Sequence, residues 1–313
     1  MRRTEVRPAS VHSSPPPLHV PRLVAELYGT TTSGDCLEAA RYLFSRRNLV
    51  QGPLIAEYEN AFAREVGVRH AISFASGRVA FYGLLSALRV GPGDEVLLQV
   101  PTHVVVVNAV RYTGARPVFV DCRLDTYTID LEQAERRITS RTRVLLLQHT
   151  FGIPVDMDAA LELARRRNVL VVEDCVHALG ARYDGRPVGS FGRGAFFSTE
   201  ETKTISSTMG GMAVTDDPDV AAELRAFQAR CSWPAPPQVA RYLLKLIVYH
   251  VFTQPYLHPY VRPLYTLLGR SDRTRLAPAA TGSDEQKGNR PPGYEERLSN
   301  AQAAVALRQL RRS

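Results

Sequence analysis

Apolar residues along this chain recur with two alternating periods. RHAISFAS (69–76), DEVLLQV (94–100), RPVFVDC (116–122), TRVLLLQHT (142–150) and VLVVEDC (169–175) are short, nearly continuous apolar runs, with the length and composition of buried strands. Between them, GRVAFYGLLSALRV (77–90), VVVVNAVRYTG (104–114), DLEQAERRI (130–138) and DMDAALELARRRN (156–168) space their apolar residues at helical intervals. AFFST and GGMAVTD then predict two further strands, and PDVAAELRAF a helix. Repeated strand–helix alternation predicts an α/β fold, a mostly parallel central sheet with helices on both faces. Ligands of such sheets gather beyond the carboxyl ends of the strands, so the chemistry is expected just after each strand.

Three strand ends carry candidate chemistry. Ser76-Gly77-Arg78 joins a strand to a helix, and a small hydroxyl residue with glycine there suits either a phosphate site or a plain helix cap. Asp174 ends VLVVED, with His177 three residues on; the carboxylate can be catalytic, pair with a cationic ring, or cap a helix. The third is STEETKTISSTMGG (198–211), where Ser198 precedes Lys203 by five residues.

Composition sharpens the third. Of 39 basic residues only Lys203, Lys245 and Lys287 are lysine. A position needing positive charge alone would have been arginine in this chain, whereas lysine can lose its proton and condense with an aldehyde. Lys203 is therefore read as a covalent-chemistry candidate against the plainer reading of a solvated surface lysine. A Walker loop is excluded because no glycine stands at the required positions before Lys203-Thr204. A dinucleotide fingerprint is excluded because Gly189, Gly192 and Gly194 come in the wrong order.

The net charge of +8 suits acidic or phosphorylated partners, but the arginines are scattered, so no nucleic-acid partner is expected. Four widely spaced cysteines form no CxxC pair and no pairing that suggests zinc, so the expectation is no metal site and a reduced, cytoplasmic protein. The Pro/Ser-rich residues 1–25 predict a mobile tail.

Taken in order, these motifs resemble the DegT/DnrJ/EryC1/StrS family of pyridoxal-phosphate (PLP) sugar aminotransferases, of type I fold. SGRVAFYGLLSALRVGPGDEVLL, GARPVFVDCRLDTYTID, HTFGIPVDMDA, VVEDCVHALGARYDGRPVGSFG, TKTISSTMGGMAVTDD and GYEERLSNAQAAVALRQL each have a family counterpart. The resemblance implies that 26–232 is a PLP-binding large domain and that Lys203 is the lysine condensing with the cofactor's aldehyde. It further implies that Asp174 pairs with the protonated ring nitrogen and that His177 lies near the phenolic oxygen. Ser76, Gly77, Ser198 and, in place of the family's threonine, Arg78 would hold the phosphate. Gln99-Val100-Pro101-Thr102 lacks the aromatic that stacks on the ring, and His103 is the candidate to replace it. Glu200-Glu201 stands where the family has an aromatic–proline pair.

The implied reaction moves an amino group from glutamate or glutamine to a keto group of a nucleotide-linked sugar, in a homodimer. A PLP-dependent sugar dehydratase, in which histidine replaces the lysine, and a non-catalytic scaffold that kept the fold are the alternatives. Residues 293–313 read as the start of a truncated C-terminal segment. Residues 233–292 read as an insertion, with an apolar helix over 242–252 presenting Leu243, Leu244, Ile247, Val248 and Val251 on one face, then a flexible loop. That face is expected to pack on the domain or a partner, with peripheral membrane contact through 239–270 as the second reading.

Overall fold

The structure, a computed structural model, describes residues 30–45, 47–252, 254 and 283–312. The expected N-terminal tail (1–25) and residues 270–282 of the expected flexible loop lie outside the described residues, while Ser283–Gln286 of that loop form a short helix instead. Helices α1 (Ser33–Ser45) and α2 (Leu54–Val66) lead into β1 (His70–Phe74), α3 (Gly77–Ala87), β2 (Glu95–Val100), α4 (Val104–Tyr112) and β3 (Arg116–Asp121). Next come α5 (Leu131–Arg137), β4 (Thr142–Gln148), α6 (Met157–Arg167) and β5 (Leu170–Asp174). A small hairpin of β6 (Arg182–Tyr183) and β7 (Arg186–Pro187) precedes β8 (Gly194–Ser198) and β9 (Gly211–Thr215). Helices α7 (Pro218–Arg230), α8 (Pro236–Phe252), α9 (Ser283–Gln286) and α10 (Asn300–Leu310) complete the described chain.

Seven strands form one sheet in the order β1-β9-β8-β5-β4-β2-β3. β9 runs antiparallel to both neighbours, and every other pairing is parallel. Both faces are covered, which explains why the strands read as continuous apolar runs. On one face Phe74, Leu84, Leu98, Phe196 and Phe227 join the sheet to α3, α4 and α7. On the other, Leu97, Leu145 and Leu163 pack the sheet against α5 and α6, while Phe62, Phe197 and Leu307 tie it to α2 and α10.

The helices end where local chemistry ends them. Asp130, Asp156 and Asp217 each accept a backbone N–H at the start of α5, α6 and α7. Gly67 closes α2 and Asn168 closes α6 in the left-handed conformation.

α8 differs from its sequence reading. It starts at Pro236, six residues before the expected apolar run, and buries Val239, Leu243 and Leu246 against Ala39 of α1 and Ala301 and Val305 of α10. Leu244 is 55% exposed and Val251 42%. The buried stripe is set by the 239–243–246 spacing of the longer helix, so of the face expected from 242–252 Leu243 is in the stripe and Ile247 packs beside it, while Leu244 and Val251 lie outside it. Packing on the domain is thus what the described part of this segment does. No helix among the described residues is long and apolar enough to cross a membrane.

Candidate active site

Strand ends β1, β5 and β8 and the loop 199–210 converge on one edge of the sheet. After β1, Ser76 is the N-cap of α3 with extended backbone (φ −161°, ψ 160°), and its hydroxyl makes no capping bond. The first-turn amides of α3 have no partners within the helix, which makes this end attractive to an anion. Two glycines allow the backbones to close up here. A Cβ on Gly77 would stand 3.0 Å from Ser198 Cβ and 3.2 Å from the Phe197 carbonyl oxygen, and a Cβ on Gly211 would run into the Ser76 carbonyl. Ser76, Gly77 and Ser198 therefore share one small region, as expected of a phosphate cradle.

Asp174, the last residue of β5, is 1% exposed. Its Oδ1 accepts the Val176 N–H at 3.1 Å. Burial raises its pKa to about 6, against the opposing pull of that N–H and of His149 and Lys203. A buried carboxylate in this state is stabilised by any cation brought to it.

Lys203 reaches the same place from the loop. Its Nζ lies 2.9 Å from His177 Nε2. Burial lowers the Lys203 pKa, while Glu200 and Asp174 pull it up. His177 sits at the exposed mouth, yet loss of water on its inner side, then the charges of Lys203 and His103, hold its pKa down to about 4. The imidazole is therefore neutral near pH 7, with its Nε2 within hydrogen-bond reach of Lys203 Nζ.

His103 belongs to the same charged cluster, its pKa lowered by burial and then by Lys203. However, its Nδ1 accepts the Val105 N–H at 3.3 Å as the N-cap of α4. Arg78 is engaged elsewhere, since its guanidinium pairs at 2.7 Å with the buried Glu285 of α9. Of the eight residues singled out by sequence, seven thus gather at the site. Arg78 stands beside it with its charge already met.

Sequence reasoning missed the parts that support these groups. Phe151, in HTFGIPV, stacks on His177 with ring centroids 5.6 Å apart. His149, in the same motif, is fully enclosed and contacts Glu173 Oε2 at 3.1 Å. Glu173 also accepts the N–H groups of Gly189 (2.7 Å), Phe191 (2.8 Å) and Gly192 (2.7 Å). His149, Glu173 and Cys175 lie close enough together to hold a metal ion, but the Glu173 oxygens are spent on that loop. Burial, then Glu173 and Asp174, push the Cys175 thiol well up, so it stays protonated.

The loop 199–210 is fixed largely by polar ties. Thr199 Oγ1 and Ser207 Oγ are 2.8 Å apart, and Lys203 N–H donates to the Glu200 carbonyl at 3.0 Å. Gln302 of α10 donates to the Met209 carbonyl at 2.6 Å, and Gln309 both accepts from Ser206 N–H and donates to its carbonyl at 2.8 Å.

These residues fit the cofactor expected from sequence. A buried carboxylate lacking a cation, a lysine of lowered pKa and an anion-attracting cradle meet at one sheet edge. The fold is that of the type I PLP-dependent transferases. A profile of the DegT/DnrJ/EryC1/StrS aminotransferase family matches residues 32–245, and the chain belongs to that family, whose cofactor is PLP.

GDP-perosamine synthase of Caulobacter vibrioides is 42% identical over 179 residues, covering 57% of this chain and 48% of that protein. The dTDP-3-amino-3,4,6-trideoxy-alpha-D-glucose transaminase of Micromonospora megalomicea subsp. nigra is 38% identical over 192 residues, covering 61% and 51% respectively. The X-ray structure of an aminotransferase from Psychrobacter cryohalolentis superposes with a TM-score of 0.67 at 27% identity, covering 90% of this chain and 62% of that one. The chain spans about half the length of the curated relatives it matches.

Proposed function

We propose that the protein is a PLP-dependent sugar aminotransferase, moving an amino group from an amino acid, glutamate or glutamine, to a keto group of a nucleotide-linked sugar. The observation that carries this reading is the meeting of Lys203 with Asp174 and His177 beside the Ser76–Gly77–Ser198 cradle. Relatives named as sugar aminotransferases support the substrate class. PLP supplies an aldehyde that takes up and releases amino groups and a ring that withdraws an electron pair.

The chain's own residues do the rest. Asp174 would hold a positive ring nitrogen with its buried carboxylate. The Ser76 and Ser198 hydroxyls and the first amides of α3 would bind the phosphate. Lys203 Nζ, its pKa lowered by burial, would be the amine that condenses with the aldehyde. The same amine would take and return the proton at the substrate carbon. His177, neutral and fixed by Phe151, keeps Lys203 oriented through its Nε2. Lysine rather than histidine at position 203 favours amino transfer over the dehydratase alternative. A cytoplasmic homodimer completes the proposal. The exposed Val100, Val104, Phe151 and Ile153 near the site are suited to burial by a second copy.

The test is direct. Adding PLP to the purified protein is expected to produce visible-range absorbance, and borohydride is expected to fix the label on the peptide containing Lys203. Glutamate is expected to bleach the unreduced band. A colourless, unlabelled protein would sink the reading, and Lys203→Arg serves as the control that keeps charge and loses the label.

A further inference from the structure

Two of the three lysines in this chain meet the same loop from opposite sides. Lys203 reaches forward to His177. Lys245 reaches from α8 and pairs with Glu201 at 2.9 Å, the two side chains being 15% and 10% exposed. Lys245 Nζ also stands 5.3 Å from the centre of the Tyr249 ring. A second tie joins the same elements, Thr208 Oγ1 donating to the Tyr242 carbonyl at 3.1 Å. α8 is itself held on α1 and α10 through Val239, Leu243 and Leu246, so the loop is fastened to a packed element.

The loop has little else to hold its tip. Thr202 and Thr204 are exposed, Glu200 and Lys203 are half-buried, and Ile205 is the one fully buried apolar side chain in 199–210. Glu201 is thus the inward-turned member of the Glu200–Thr204 tip. A carboxylate with so little water needs a cation in one place, and this makes the contact directional in a way that apolar packing is not.

We propose that Glu201 and Lys245 are a positioning pair, which sets where Lys203 Nζ stands relative to Asp174 and His177 and thereby its readiness to react. The inference rests on the reading of Lys203 as the cofactor-binding lysine. Glu200 and Asp174, which raise the Lys203 pKa, and His177 and His103, which share its field, are the titratable groups facing it. With the tie cut, the tip is free to move into water, where Lys203 recovers an ordinary pKa and loses its fixed distance to His177.

The experiment follows Lys203 without cofactor first. An amine-reactive reagent is applied across pH 6–11, and labelling at Lys203 is followed by peptide mass spectrometry. Lys245→Met is expected to raise the labelling midpoint by about one pH unit, a tenfold fall in neutral amine at a fixed pH below it. Because that variant strands a buried carboxylate, the doubly neutral Glu201→Gln/Lys245→Met protein is measured beside it. It too is expected to show the raised midpoint and a weaker PLP absorbance titration. Lys245→Arg, which keeps charge and reach, is expected to restore both. A doubly neutral variant with the wild-type midpoint and the wild-type PLP titration overturns the proposal, whatever its melting temperature. If wild-type protein takes no PLP label, the proposed function fails, while the cofactor-free midpoints still decide on the pair.

Discussion

Asp174 carries a carboxyl that the sheet has taken out of water, and its pKa of about 6 has an energetic consequence with a definite sign. A carboxyl whose folded pKa is raised binds its proton more tightly folded than unfolded. Stability in its favour is present at low pH and is lost as pH rises from the ordinary 3.8 through about 6. Two pH units correspond to about 3 kcal/mol. His177 runs the other way in an overlapping window, because a histidine held down to about 4 lowers stability as it is forced to charge. The two are separated by difference. Cofactor-free Asp174→Asn is expected to exceed the wild type in denaturant stability by up to about 3 kcal/mol above pH 6 and to match it near pH 4. A constant difference across that range would count against the buried-charge account. The same substitution is expected to remove bleaching by glutamate, since a neutral amide does not hold a protonated ring nitrogen. Asp174, His177 and Lys203 were legible in sequence because strand ends and lysine scarcity mark them. Phe151 and His149 fall within the motif HTFGIPVDMDA but were not singled out, because a stacking ring and an enclosed histidine show their contacts only once the fold brings them together.

At the scale of elements, close approach decides one position. Gly211 opens β9 against the Ser76 carbonyl, where a Cβ has no room. Gly211→Ala is expected to cost about 1–3 kcal/mol as the backbones separate. It is also expected to weaken PLP binding, because the same shift opens the Ser76–Ser198 cradle; a thermal melt and an absorbance titration check the two effects. α8 gives the opposite lesson about patterns. Its apolar residues cover more than one side of the helix, so periodicity within 242–252 did not single out the buried stripe. The structure does. Leu243, 1% exposed, is expected to cost about 2–5 kcal/mol on substitution by alanine. Leu244, 55% exposed next to it, is expected to cost within about 0.5 kcal/mol. Equal effects in chemical denaturation would contradict the packing. The seven strands of the main sheet, by contrast, were legible, because burial leaves apolar runs of strand length, whereas the two-residue strands β6 and β7 carry no such run.

At the scale of the molecule, the site depends on a helix that lies about a hundred residues away in sequence. α10 buries ten of its eleven residues. Two of these are glutamines, and they serve the lysine loop. Gln309 answers both backbone groups of Ser206, and Gln302 answers the carbonyls of Met209 and Ser207. In sequence, QAAVALRQL is an apolar stretch with two glutamines and an arginine; which loop the glutamines satisfy is a property of the closed fold. A buried amide or carbonyl left without its partner costs about 1–3 kcal/mol. Gln309→Leu, near in volume and unable to bond, leaves both groups of Ser206 unanswered and is expected to cost about 2–4 kcal/mol in denaturant stability. The loss should not be confined to overall stability. Backbone amides of Lys203 to Ser207 are expected to exchange with deuterium faster than those of β4 and β5, which have no contact with Gln309. Uniform acceleration across the sheet would mean that α10 supports the fold in general. Acceleration confined to the loop, with PLP binding weakened in step, would mean that the C-terminal helix is part of the machinery that presents Lys203.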